Sequence, residues 1–155
     1  MIIGKMDLKK LCLLLFFLLG FSVLAQEEGL ILLTRREDNL TTAFLLNPGT
    51  GEETPLSEFV GLGDLGWSPD GRYITFHSER DGNSEVYIMG SHGENQRSLT
   101  NSPALDRAPR FSTDGSEILF RSERNGDSEL FIMNLDGSNV RQITNNDARD
   151  MHPDW

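Results

Sequence analysis

Three histidines, one cysteine and two glycine-containing acidic strings are the residues of this chain whose types could do chemistry. Metal binding asks for several His, Cys or carboxylate ligands brought together at short spacing. His77, His92 and His152 are far apart in the sequence, and none sits at ligand spacing from a second His or a Cys. A single cysteine, Cys12, excludes an intrachain disulfide and a cysteine-ligated metal. Asp81-Gly82-Asn83-Ser84-Glu85 and Asp136-Gly137-Ser138-Asn139 are rich in oxygen donors. Neither reproduces the twelve-residue spaced loop of a calcium hand, and turn chemistry accounts for both. Gly61-x-Gly63-x-x-Gly66 spells a dinucleotide fingerprint but precedes a strand instead of opening a helix, so it reads as a loop. No Gly-x-Ser-x-Gly elbow is present to present a nucleophile. The sequence points to no catalytic residue, no metal and no cofactor.

What positions these residues is a repeat. Residues 67–110 align with 111–154 without a gap, and 21 of the 44 positions are identical. Unrelated sequences of ordinary composition would share about 3. The best-matched stretch sets Ser78-Glu79-Arg80-Asp81-Gly82-Asn83-Ser84-Glu85 against Ser122-Glu123-Arg124-Asn125-Gly126-Asp127-Ser128-Glu129. A further step of 44 carries Phe111 to Trp155, Asp106 to Asp150 and Pro109 to Pro153. A degenerate earlier copy matches Phe44-Leu45-Leu46-Asn47 to Phe131-Ile132-Met133-Asn134 with a one-residue slip.

Each copy reads as four short strands. Ser68-Pro69-Asp70-Gly71 is a tight turn: proline presets φ, the aspartate bonds back to the chain, and glycine takes positive φ. Ser112-Thr113-Asp114-Gly115 does the same without the proline. A strand follows with Ile74 and Phe76 on one face and Tyr73, Thr75 and His77 on the other; its counterpart puts Ile118 and Phe120 on the same buried face. Asp81-Gly82 and Asn125-Gly126 suit hairpins. A second apolar strand, Val86-Tyr87-Ile88-Met89 or Leu130-Phe131-Ile132-Met133, leads to a glycine turn at Gly93 or Asp136-Gly137. A short strand then ends at Leu99-Thr100 or Ile143-Thr144, and Ala108-Pro109-Arg110-Phe111 supplies a fourth strand leading into the next copy. No amphipathic helix is visible after residue 25. Four antiparallel strands in about 44 residues is the period of a propeller blade. The expected fold is all-β, a β-propeller fragment of four-stranded antiparallel blades at about 30–66, 67–110 and 111–154, with the start of a further blade at 148–155.

Residues that recur in every blade serve the blade, whereas binding in a propeller concentrates where copies differ, on loops around the central channel. Glu79-Arg80 and Glu123-Arg124 recur and suit an Arg–carboxylate bond between neighbours. His77 gives way to Arg121 and His92 to Asp136, the mark of exposed, tolerant positions. The differing channel loops hold Asp106 and Arg107 in one copy and Asp150, Met151 and His152 in the next. These five are the candidate binding residues, although Asp106 and Asp150 match each other.

Taken together, Trp67-Ser68-Pro69-Asp70-Gly71, Ile74-Thr75-Phe76, Asp81-Gly82, Val86-Tyr87-Ile88-Met89 and Arg97-Ser98-Leu99-Thr100 resemble the WD40-like β-propeller repeat of TolB-type proteins. The resemblance covers roughly residues 30–155 and is carried by the two copies at 67–154. The first blade is eroded, because Gly66-Trp67 has no good partner one period earlier. The resemblance implies a six- or seven-bladed ring in full-length relatives, with the segment at 108–111 as the innermost strand. It also implies a non-enzymatic protein-interaction module of the bacterial cell envelope, whose partner in that family is a peptidoglycan-associated lipoprotein. Relatives carry a further domain ahead of the blades, which is not visible here. Similar repeats build the propellers of prolyl-oligopeptidase-like serine peptidases and of polysaccharide-degrading enzymes, which stand as the alternatives.

Composition agrees with an exported, acidic module. All three lysines, Lys5, Lys9 and Lys10, fall in the first ten residues, and from Gln26 onward 11 arginines face 23 acids. So acidic a body repels phosphate backbones and anionic lipid, which argues against nucleic acid as a partner. Residues 1–25 read as a signal peptide: the lysines, an unbroken apolar run from Leu11 to Leu19, then Val23-Leu24-Ala25 as a small-residue exit before Gln26. The run is short for a membrane span of roughly 20 residues, and Cys12 stands at its start instead of after it, where a lipid anchor would need it. The expectation is a periplasmic or secreted chain with no stable membrane span after cleavage.

The 130 residues after the leader amount to just under three periods. Three blades cannot close a ring, so the expectation is a piece of a longer propeller with exposed sheet edges, prone to self-association when isolated, or else several copies sharing one ring. Trp155 is expected to be exposed.

Overall fold

In a computed structural model of the protein, residues 29–155 are described, Asn39 excepted. The signal-peptide helix over 1–25 and the cleavage point at Ala25-Gln26 lie outside the described residues. The described residues hold no helix and eleven strands in three antiparallel sheets. The first sheet is β1 (Ile31–Glu37), β2 (Leu40–Leu46) and β3 (Glu53–Val60). The second is β4 (Gly63–Trp67), β5 (Tyr73–Ser78), β6 (Glu85–Gly90) and β7 (Arg97–Ser98). The third is β8 (Asp106–Phe111), β9 (Glu117–Ser122), β10 (Glu129–Asn134) and β11 (Arg141–Gln142). Strands follow one another across each sheet in chain order. The all-β reading with four-stranded antiparallel blades therefore holds for the second and third sheets. Among the described residues the first has three strands.

Local hydrogen bonds explain why the period is so regular. In the β4–β5 turn the Gly71 amide donates to Ser68 O at 2.9 Å, and Gly71 sits at φ 68°. Ser68 is the pivot: its Oγ donates to Asp70 Oδ1 at 2.7 Å and accepts from the Tyr73 amide at 2.9 Å. Asp70 Oδ1 also accepts from the Arg72 amide at 3.1 Å. The β8–β9 turn repeats each bond through Ser112, Asp114, Ser116 and Glu117. Backbone and side chain specify the same turn twice. The slip in the first copy is visible too: the turn after β2 opens with the Asn47 amide on Glu52 O, where the later turns use Gly90 on Glu94 O and Asn134 on Ser138 O.

Alternation then assigns faces. Along β6, Val86 and Ile88 pack with Ile118, Phe120, Phe131 and Met133 of the third sheet, while Tyr87 and Met89 join Ala43, Ile74 and Phe76 towards the first. Every residue of β6 is consequently buried, which an apolar run with no polar face predicts for a strand covered on both sides. Thr75, on the face opposite Ile74 and Phe76, is buried as well and satisfies its hydroxyl on Tyr87 O at 3.0 Å.

Polar residues common to both copies hold the sheets internally. Glu85 is 4% exposed; its carboxylate accepts from the Thr100 hydroxyl and, at 3.0 Å, from the Ser102 amide. Glu129 is held in the same way by Thr144 and the Asn146 amide. Arg80 stacks over Tyr87 at 4.2 Å, and Arg124 over Phe131 at 4.8 Å. Arg35 over Phe44 at 4.7 Å gives the first sheet its own version.

Candidate functional site

The edge strands β4 and β8 occupy the place of the innermost strand of a propeller blade, and β8 lies against β4, β5 and β6 of the preceding sheet. Both carry a bulge. Pairing of β4 with β5 shifts between Gly63 and Gly66, and pairing of β8 with β9 shifts between Arg107 and Arg110. Within each bulge one non-glycine residue is left-handed, Asp64 at φ 51° and Ala108 at φ 52°, and His152 follows at φ 56° one period later. A bulge re-aims side chains at a sheet edge. Asp, Ala and His share no local preference that would flag the position, so only the 44-residue spacing unites them.

The bulges bring together charged groups from both sheets. His77 Nδ1 lies 3.1 Å from Asp64 Oδ2, and the His77 side chain is only 15% exposed. Gly63 stands opposite His77 in the ladder, and a Cβ there would come within 2.6 Å of its ring. The reading of His77 as an exposed, tolerant position is therefore corrected: it is packed and has a charged neighbour. His92 is exposed. Hydrogen bonding to His77, helped by the charges of His77, Arg110 and Arg121, holds the Asp64 carboxyl below its ordinary range. Arg110 reaches back to Asp64 O at 3.4 Å and to its neighbour's carbonyl, Pro109 O, at 2.8 Å. Arg107 donates to Glu79 Oε1 at 3.1 Å, an arginine–carboxylate bond between neighbouring sheets.

The five residues marked from sequence divide. Asp106 is fully buried, takes Arg124 Nη2 on Oδ2 at 2.9 Å, and belongs to the framework of the third sheet. Arg107 stands on the inner edge with the charged cluster. Asp150, Met151 and His152 follow the backbone path of β8, with no partner strand among the described residues. The Asp150 amide donates to Ser128 O at 2.8 Å just as Asp106 donates to Ser84 O, and Pro153 is buried as Pro109 is. Asp150 Oδ2 accepts from Asn146 Nδ2 at 3.0 Å, and Met151 is 49% exposed. Trp155 is 47% exposed, and its indole donates to Arg110 O at 3.3 Å. Asp64, His77, Arg110 and Arg121 were not marked. The signal for two of them was present, since His77 and Arg121 occupy one repeat position and differ there. The described residues form no group of three or more His, Cys, Asp or Glu able to hold a metal ion.

The fold has relatives. The family described as the TolB β-propeller domain matches residues 33–155. The structure of a putative TolB from Agrobacterium tumefaciens superposes with a TM-score of 0.67 at 24% identity, over 73% of this chain and 44% of that one. TolB from Acinetobacter baumannii gives 0.67 at 26% identity, over 74% of this chain and 29% of that one. An oligogalacturonate lyase in complex with manganese shares the fold at 20% identity and a TM-score of 0.55, over 68% and 30%. The chain thus spans less than half the length of each. No curated protein matches it.

Proposed function

As the chain belongs to the TolB β-propeller domain family, we propose that it acts as an exported, non-enzymatic protein-interaction module of the bacterial cell envelope, with a peptidoglycan-associated lipoprotein as its partner. The match over residues 33–155 is the observation that carries this reading. Two further features support it. Polar groups that recur per sheet, Glu85 and Glu129 with their threonines, and the buried pair of Arg124 with Asp106 are consumed by the framework. What remains for binding is the non-repeating charge on the inner edge. Export is supported by Lys5, Lys9 and Lys10 ahead of the apolar run and by the small-residue exit at Ala25. No helix among the described residues is long and apolar enough to cross a membrane.

The test is capture. The chain, expressed with its leader in a Gram-negative host, is recovered from the periplasmic fraction, and its N-terminus is read by mass spectrometry. The mature chain is then immobilised and offered purified peptidoglycan-associated lipoprotein. An N-terminus at Gln26 and saturable, salt-sensitive capture are the expected results. An intact leader in the membrane fraction overturns export, and absence of capture overturns the partner.

A further inference from the structure

We propose that Arg107 and Arg121 form a two-armed clamp for a carboxylate presented by a protein partner at the inner edge of the third sheet; that the carboxylate comes from a protein rests on the reading above. The two arginines stand directly opposite each other on β8 and β9. Like charges facing across a strand pair oppose folding, so the arrangement gains from a counter-anion between them. Arg107 commits one nitrogen to Glu79, and its Nε is buried without an acceptor. The guanidinium of Arg121 feels the charge of Asp64 without bonding to it, and its Nε is likewise buried and unmet. The two Nε atoms are closed to solvent, so a carboxylate would meet the outer nitrogens of the guanidinium forks, whose planar geometry is matched to two carboxylate oxygens; the Arg107 side chain is 32% exposed.

The pair is also particular to this sheet. One period earlier the same two ladder positions are Gly63 and His77, so the facing arginines are not part of the repeated framework. Local charge points the same way. In a body where acids outnumber arginines about two to one, this edge gathers Arg107, Arg110 and Arg121 with His77 against Asp64 and Glu79. An acidic side chain or chain terminus is repelled by most of the surface and accepted here.

The experiment is isothermal titration of the full chain with hexaglutamate, with hexaglutamine and inorganic phosphate as comparison ligands. Saturable binding of hexaglutamate and none of hexaglutamine is expected. Arg121→Gln and Arg107→Gln should each weaken it at least tenfold. Arg121→Lys, which keeps the charge and loses the fork, should fall between. Arg36→Gln, on an exposed arginine of the first sheet, should leave binding unchanged. Should Arg121→Gln fail to fold, as judged by its circular dichroism, Arg121→Lys carries the test. Equal binding by the variants, equal binding of hexaglutamine, absence of hexaglutamate binding, or phosphate binding as tight as the peptide's each overturn the clamp. Lipoprotein captured equally by the wild type and the Arg107→Gln/Arg121→Gln double variant overturns the clamp and leaves the interaction module standing. Arg121-dependent hexaglutamate binding without lipoprotein capture leaves the clamp standing and removes that partner.

Discussion

Arg124 donates to the fully buried carboxylate of Asp106 at 2.9 Å, while one period earlier the position of the aspartate is Leu62 and the equivalent Arg80 donates to Gln96 at 2.9 Å. Gln96 in turn corresponds to Val140 of the third sheet. Both arginines stack on aromatic rings, so each blade needs an acceptor for its stacked guanidinium and finds it in a different place, on β8 for Arg124 and just before β7 for Arg80. The exchange is testable. Asp106→Leu should destabilise the chain by about 3 kcal/mol, because it leaves a partly buried cation without its partner. Adding Val140→Gln should recover at least half of the loss by urea denaturation. A double variant no more stable than the single one shows that the two sheets do not exchange these roles.

The buried Glu85 predicts a second effect. Its carboxylate is 4% exposed and satisfies the Thr100 hydroxyl and the Ser102 amide. Glu85→Ala strands both donors and should cost about 2–4 kcal/mol. Glu85→Gln, which can still accept through its amide oxygen, should cost less than half as much. Equal costs for the two variants would indicate that packing volume, not hydrogen bonding, is what the position supplies.

Acid should loosen the turns. Hydrogen bonds from Ser68 and the Arg72 amide hold Asp70 down at about 2; the amide and hydroxyl of Ser116, with the Ser112 hydroxyl, do the same for Asp114, also at about 2. A carboxyl with a depressed folded value stabilises the fold above its unfolded value and loses that contribution as pH falls through the folded one. Stability should therefore decline between about pH 4 and pH 2, the interval from the ordinary 3.8 to the folded value. The Asp70→Ala/Asp114→Ala variant should be less stable at pH 6 and show a shallower decline. Thermal melts across this interval check it, and an unchanged slope in the double variant contradicts it.

At the alkaline end the controlling group is Tyr87. Burial, then its hydrogen bond to Asp81, push its hydroxyl up to about 12. A raised folded value stabilises the fold below the unfolded one and is lost as pH rises through the folded one, so the window lies between about pH 10 and pH 12. Absorbance of tyrosinate at 295 nm should show one tyrosine titrating near 12 in the folded chain, and Tyr87→Phe should remove that step.

Ala108 carries backbone strain. An alanine at φ 52° occupies the left-handed region that favours glycine, at a cost of roughly 1–2 kcal/mol. Ala108→Gly should be neutral to stabilising by about 1 kcal/mol, although glycine's freer unfolded chain offsets part of the gain. A loss of stability would mean that the methyl group, 8% exposed, contributes more by packing than the conformation costs.

Much of this architecture is determined by the sequence alone, because it is local. Ser68-Pro69-Asp70-Gly71 and Ser112-Thr113-Asp114-Gly115 close their own turns through bonds spanning at most five residues, and the alternation of Ile74 and Phe76 with polar neighbours sets strand and face. A gapless period then places every later strand. The charged inner edge was not readable in this way. Asp64 meets His77 and Arg107 faces Arg121 through the bulged registers of β4–β5 and β8–β9, whereas Arg107 meets Glu79 only once two sheets pack. Turn hydrogen bonds act within a few residues and leave a sequence signature. The approach of charges across sheets is set by the packing of Val86 and Ile88 against Phe120 and Phe131, a non-local energy that no single segment encodes, and it was decided only in the tertiary structure.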